Sequence, residues 1–141
     1  MSEQTTLVLH LDQIPSGTAQ QKRTNRRTGA FFESETIRRA RTIYTALLLP
    51  YRPKVPYEAP LRVTITFAYS IKDKKKRGKW KTCTPDCDKL VKLFLDCMTA
   101  CGFWKDDAAI ADLRIQKVYH ETDEARIYVR IKEIGGERWT L

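Results

Sequence analysis

Apolar and polar residues alternate along this chain in two rhythms, and the rhythms predict its elements. Residues 6–12, TLVLHLD, alternate with the period of two expected of a half-buried strand. Residues 61–69, LRVTITFAY, repeat that pattern more cleanly, and residues 113–119 and 126–131 add two shorter runs separated by a turn around Glu121 to Glu124. Between them the rhythm changes to that of a helix. Ser34 can cap one running from about Glu35 to Leu49, with Ile37, Ala40, Ile43 and Ala46/Leu47 on one face. A second runs from about Pro85 or Asp86 to Cys101, with Thr84 and Pro85 as an N-cap and first-turn pair and Gly102 as its stop. Residues 13–33 read as loop, and the segment Pro50 to Pro60 is a connection rich in proline. The order is strand, helix, strand, helix, strand, strand. That predicts a single α/β (α+β) domain over residues 1–141, a mixed sheet of about four strands with two main helices, and a flexible tail at 135–141.

Size and composition narrow the class. A chain of 141 residues can bury a core without help from disulfides. With 30% charged and 42% hydrophobic residues it reads as a soluble globular protein, and no apolar run approaches the roughly 20 residues of a membrane span. The first residues, MSEQTTLVLHLDQ, carry neither a basic nor a sufficiently apolar signal segment, so a cytoplasmic location is expected. In a reducing compartment the four cysteines read as free thiols or metal ligands.

Charge changes the picture most. Twenty-six Lys and Arg against seventeen Asp and Glu give a net charge of +9, which points to a polyanionic partner. The cations cluster. Lys22, Arg23, Arg26 and Arg27 lie in one loop-like segment, and Lys72, Lys74, Lys75, Lys76, Arg77, Lys79 and Lys81 crowd a second. Neither has the periodicity of a membrane-lying helix, so nucleic acid leads and no membrane partner is expected. The plainer reading is a solubilising surface.

The chemistry concentrates in CTPDCDKLVKLFLDCMTACGFWKDD, residues 83–107, which holds all four cysteines and five aspartates. A zinc site wants thiolates converging at about 2.3 Å from the ion. Cys97 and Cys101 fall at i, i+4 on the side of the helix shared with Leu90, Leu93 and Phe94, whereas Cys87 sits about 15 Å of axis from Cys97. One straight helix cannot gather them, and cysteine is at home as a small buried hydrophobe. The aspartates behave differently. Asp88, Lys92 and Asp96 recur at i, i+4, i+8 as one polar stripe, and Asp86 can join Asp88 if it lies in the entering turn. Those two carboxylates with a third, either Asp106 or Asp107, would suit Mg²⁺, a hard ion held by a few carboxylates, water and substrate phosphates. Equally, Asp near a helix start complements the dipole, and Asp88–Lys92–Asp96 is a possible solvated ion-pair face.

Thr84-Pro85-Asp86-Cys87-Asp88 with Leu90, Lys92, Phe94 and Asp96, followed by Gly102-Phe103-Trp104-Lys105-Asp106-Asp107, resembles the RusA family of Holliday junction resolvases. These are small, dimeric, magnesium-dependent endonucleases, many of them from phages and prophages. The likeness is specific from Asp86 to about Tyr119, and Ile14-Pro15-Ser16 before a basic loop is compatible with it. The sequence departs from the family at Lys89, more often Asn, and at Cys87, usually aliphatic. The resemblance implies catalytic roles for Asp86, Asp88, Lys92 and Asp107, and Mg²⁺, with Mn²⁺ as a substitute, held by Asp86, Asp88 and Asp107. It also implies a homodimer that cuts four-way DNA junctions by paired nicks leaving 5′-phosphate and 3′-hydroxyl ends. The basic segments would then contact phosphates, giving affinity without sequence readout. Trp80, Phe31 and Phe32 would either stack on unpaired crossover bases or pack beneath their loops.

Three other readings compete. A PD-(D/E)xK nuclease needs an acidic residue or Gln two positions before a strand lysine, but Gln116 is directly next to Lys117, so that pattern fails. A non-catalytic basic module for branched DNA would use the aspartates only to cap and pair. A zinc-stabilised DNA-binding module would carry about one zinc per chain.

Overall fold

The computed structural model describes residues 3–16, 22–24 and 31–141, with the backbone alone over 22–24 and 31–33. The elements in chain order are β1 (Thr5–Leu11), β2 (Lys22–Thr24), β3 (Phe31–Glu33), α1 (Glu35–Leu48), β4 (Leu61–Tyr69), α2 (Cys87–Ala100), β5 (Ile110–Tyr119) and β6 (Ala125–Glu133). The main sheet has the order β1-β6-β4-β5, antiparallel except for the parallel β4–β5 pair. A parallel pair cannot be joined by a tight turn, and α2 is the crossover that joins this one. The mixed α+β domain expected from the pattern is the fold observed.

Period-two alternation decides which side of the sheet is dry. Leu61, Val63, Ile65 and Phe67 of β4 and Ala125, Ile127, Val129 and Ile131 of β6 are buried, together with Leu7 and Leu9 of β1. Both helices cover that side. Ser34 caps α1 by accepting a hydrogen bond from Ile37 N at 3.3 Å, and the first helix therefore begins where the sequence placed it. Its buried face is Ile37, Ala40, Tyr44 and Leu48: the expected Ile37 and Ala40 are on it, Leu47 is half-buried against the core, and Ile43 and Ala46 are exposed. Tyr44 wins because its ring packs edge-on against Phe94 of α2 at 5.0 Å between centroids, which turns Ile43 outward. Phe94 in turn meets Phe67 of β4 at 5.7 Å, so one aromatic stack ties both helices to the sheet.

Two connections carry more structure than expected. Within the segment read as loop, β2 and β3 pair antiparallel, Arg23 opposite Phe32. Alternation over three residues is too short to register as a strand. The other is the start of α2. Its N-cap is Asp86, in an extended conformation, and not Thr84. The ammonium of Lys117 on β5 donates to the carbonyls of Cys83 at 2.7 Å and Pro85 at 2.6 Å, which holds that segment to the sheet and out of the helix. At the other end, Gly102 has φ +89°, the left-handed conformation that stops a helix at little cost for glycine. Beyond β6, Glu137 returns to the sheet: its carboxylate pairs bidentately with Arg62 at 3.1 and 3.2 Å, and Arg62 Nε also reaches Asp112 at 2.7 Å.

Phe94 has no exposure and ring partners on two other elements, α1 and β4, so Phe94→Ala opens a cavity that neither can close. We expect a loss of about 3–5 kcal/mol in unfolding free energy by urea denaturation, against less than about 0.5 kcal/mol for the exposed Arg38→Ala.

Candidate active site

The helix α2 is buried almost all round. Leu90, Val91, Leu93, Phe94, Leu95, Cys97 and Met98 all lie in the core, and the polar stripe Asp88, Lys92 and Asp96 reaches solvent, with Lys89 beside its start and Ala100 at the last turn. Chemistry at this helix is thereby confined to that stripe and to the turn that leads into it. At that turn Asp86 caps with its backbone only: its carboxylate makes no capping bond, is 62% exposed, and meets Lys89 Nζ at 3.8 Å. Asp88 is exposed in the first turn. Two acceptor-only groups two residues apart are thus left free at one end of the helix.

Asp107 is placed differently. It sits at the start of a short 3₁₀ turn, Asp107–Ala109, which Asp106 caps by accepting from Ala108 N at 3.0 Å. Its Oδ1 accepts from the Thr99 hydroxyl and, at 3.3 Å, from the indole N–H of Trp104. Trp104 also donates to Thr99 Oγ1 at 2.7 Å and is itself 1% exposed. Both donors use one oxygen of Asp107, which fixes the carboxylate without exhausting it. Asp96 lies beside it. Burial first, and then the negative charge of Asp107, raise the Asp96 carboxyl above its ordinary range, while Lys92 and Arg41 pull it back.

The sequence-derived set therefore divides. Asp86 and Asp88 stand at the start of α2, whereas Asp107 joins Asp96, which is about 12 Å further along the axis from Asp88. Lys92 lies between, one turn from each. Among the described residues no three His, Cys, Asp or Glu side chains are close enough together to hold an ion. The donor chemistry suits a hard divalent cation at Asp86 and Asp88, because Mg²⁺ is commonly held by one or two carboxylates completed by water and phosphate. It does not suit zinc through sulfur: Cys97 is buried in the core with Cys101 behind it, and all four thiols are free. Pattern reading missed Lys117, Thr99 and Trp104 as supports of this site, since nothing in their spacing marks a long-range hydrogen bond.

The cations fall into three groups. Lys74–Lys76 form a 3₁₀ turn capped by Asp73 and are exposed, as is Lys79. Arg77 instead turns inward to Asp123, and Lys81 lies over the rings of Tyr69 and Tyr119 at 4.9 and 5.6 Å. This segment also extends the sheet: Gly78 N and Lys81 N donate to Tyr119 O and Lys117 O at 2.9 Å, and Tyr119 N to Lys79 O at 2.9 Å. Trp80, between them, is 65% exposed and does not pack beneath its loop. Lys22 and Arg23 lie on β2, while Arg26 and Arg27 fall outside the described residues. The side chains of Phe31 and Phe32 do as well.

Lys81 has a second effect. Its Nζ is 2.8 Å from Cys83 Sγ, with Tyr119 OH at 3.6 Å on the other side, and the exposed Cys83 thiol is lowered to about 7, first by Lys81 and then by Tyr119. Burial pushes Cys97 the other way, up to about 11.

Comparison with known proteins supplies independent findings. The family profile Endodeoxyribonuclease RusA matches residues 13–132. A crossover junction endodeoxyribonuclease rusA of Lactococcus phage r1t is 37% identical over 130 residues, covering 88% of this chain and 94% of its own. The crossover junction endodeoxyribonucleases of Escherichia coli K12 and Enterobacteria phage 82 are each 40% identical over 52 residues, 37% of this chain and 42% of theirs.

Cys83 should be the fastest of the four thiols toward iodoacetamide in the native protein, with a rate that rises through a midpoint near pH 7. Because Lys81 stabilises the thiolate, Lys81→Met should move that midpoint up toward the ordinary thiol range. Peptide mapping of the alkylated protein across pH checks both, and preferential labelling of Cys97 would contradict the packing described.

Proposed function

The chain belongs to the RusA family of endodeoxyribonucleases, and from that premise we propose that it is a structure-selective DNA endonuclease that resolves four-way junctions by paired nicks. The observation that carries this reading is the start of α2, where Asp86 and Asp88 are held free of capping duties beside a basic segment that runs along the same edge of the sheet. Mg²⁺, with Mn²⁺ as a substitute, would be held by Asp86 and Asp88, and the family pattern adds Asp107 as a third ligand. Bound there, the ion would polarise the scissile phosphate and lower the pKa of a bound water.

The chain's own residues do the rest. Lys92 follows Asp88 by one turn on the same stripe, which aims its ammonium at negative charge developing on the phosphate. Lys117 fixes the turn that presents Asp86, so the carboxylate need not be ordered when substrate arrives. Thr99 and Trp104 hold the rotamer of Asp107. The exposed Lys74, Lys75, Lys76 and Lys79 meet phosphates of an arm, and Trp80 is free to stack on an unpaired base at the crossover. Two nicks placed symmetrically need two such sites, which a homodimer supplies. Products would carry 5′-phosphate and 3′-hydroxyl ends. Among the described residues no helix is long and apolar enough to cross a membrane, and a cytoplasmic site of action is part of the proposal.

One observation favours the rival reading of a branched-DNA-binding module without chemistry: among the described residues the acidic side chains do not converge. The two readings separate cleanly. A labelled four-way junction and a linear duplex of the same sequence are incubated with protein and Mg²⁺. We expect paired nicks in the junction alone, with Asp86→Asn and Asp88→Asn each slower by at least about 10²-fold and Lys92→Met by about 10²–10³-fold. Thr99→Val should raise the Mg²⁺ requirement by about 10-fold or more, since it frees the Asp107 carboxylate to turn. Tight junction binding with no cleavage in Mg²⁺ or Mn²⁺ establishes the binding module instead.

A further inference from the structure

Both helices lie on one side of the sheet, and no described helix covers the other. The registers put its side chains in rows across the four strands. Arg114 of β5, Thr64 of β4, Arg130 of β6 and Thr6 of β1 form one row. The next holds Gln116, Thr66, Tyr128 and Val8, with Thr66 donating to Gln116 at 2.6 Å. Along β6 the outward positions are Arg126, Tyr128, Arg130 and Lys132, three of the four cationic.

The signs on this face are mixed at its margins, where Arg62 pairs with Asp112 and Glu137, and single in its middle. Arg126 is neutralised by Glu124, and Lys132 by Glu137 at 3.3 Å. Arg114 and Arg130 are exposed and have no acidic partner among the described residues. They flank Thr64 two strands apart, a backbone separation of about 10 Å. Like charges so placed repel each other across the sheet unless an anion lies between them. A second copy of the chain on this face would bring a second unpaired Arg114 and Arg130 against the first. The face has little apolar area with which to offset that, because the large hydrophobic side chains point to the helix side. A phosphate backbone satisfies both conditions.

We propose that this uncovered sheet face is a second nucleic-acid surface, on which Arg114 and Arg130 clasp the backbone of a DNA duplex arm. The choice of DNA as the polyanion rests on the function proposed above. The face lies across the sheet from Asp86 and Asp88, whose turn is fixed by Lys117 on the helix side. It therefore engages an arm other than the one being cut. Thr6 and Thr64 offer hydroxyls to the same phosphates, and Tyr128, stacked on His120 and bonded to it at 2.9 Å, stiffens the floor beside them.

The test is the double charge reversal R114E/R130E beside the control R38E/R39E, which makes the same change in net charge on exposed positions of α1. Affinity for a four-way junction and for linear duplex is read by fluorescence anisotropy across a salt series without divalent metal, so the result does not depend on cleavage. Light scattering and circular dichroism follow oligomeric state and fold. We expect R114E/R130E to stay folded with wild-type mass, to bind the junction at least about 10-fold more weakly, and to lose about 2 from the salt slope. The control should change affinity by less than about 3-fold. Equal losses in the two variants, or unchanged affinity and slope in R114E/R130E, overturn the proposal. A change in oligomeric state with R114E/R130E overturns it in favour of self-association. Wild-type cleavage in Mg²⁺ is scored separately: its absence alongside normal arm binding removes the proposed activity and leaves this surface standing.

Discussion

A single ammonium group settles where the second helix begins and how its first carboxylate is presented. Lys117 on β5 donates to two consecutive-but-one carbonyls, those of Cys83 and Pro85, and so pins the chain to the sheet immediately before α2 begins. A charged donor bonded to carbonyls is among the stronger hydrogen bonds available to a protein. Because the segment is held there, the helix is capped at Asp86 and not at Thr84, and the Asp86 carboxylate makes no capping bond. Had Thr84 capped the helix, Asp86 and Asp88 would lie within it about 200° apart and could not serve one ligand.

Topology then brings the opposite charges to the same place. A parallel pair must be joined by a crossover, and a crossover that packs back on the sheet returns the chain to the start of the next strand. The N-terminus of α2 consequently lies by the C-terminal ends of β4 and β5, where Tyr69 pairs with Tyr119. The basic segment leaves β4 at that end and zips along β5 through Gly78, Lys79 and Lys81. The carboxylates at the start of α2 and the lysines of the basic segment are therefore neighbours because of strand order, with no contact between them required. The length of the same helix sets the opposing constraint: Asp107, tied to Thr99 and Trp104, belongs to the far half of α2.

Burial accounts for the cysteines without any metal. Cys97 occupies a core position among Leu93, Phe94 and Met98, where a thiol behaves as a small hydrophobe and its ionisation is suppressed. Cys83, outside the helix and next to Lys81, is the opposite case. The two Cys-x3-Cys pairs thus lie in unlike environments, one leading into the helix beside Lys81 and the other burying its thiols at the far end of α2, which is why the spacing alone carried no coordination chemistry.

Much of this was legible in the residues. Period-two and period-3.6 patterning located four strands and two helices because burial on one side of each element is a local demand, written into every turn and pleat. The polar stripe Asp88–Lys92–Asp96 was legible for the same reason, and the acidic motif was legible as a family resemblance. What local pattern could not hold was anything decided by a partner distant in sequence. Tyr44 displaced Ile43 from the buried face of α1 because Phe94 was there to receive it. Asp86 replaced Thr84 as the cap because Lys117 claimed the preceding carbonyls. Arg77 left the exposed basic cluster because Asp123 lay within reach. The sequence by itself determined which elements would have a dry side, which residues would be charged and in what order the elements would come. Only the tertiary structure decided which charges would meet, since Coulomb and hydrogen-bond energies fall off over a few ångströms of space and take no account of separation along the chain.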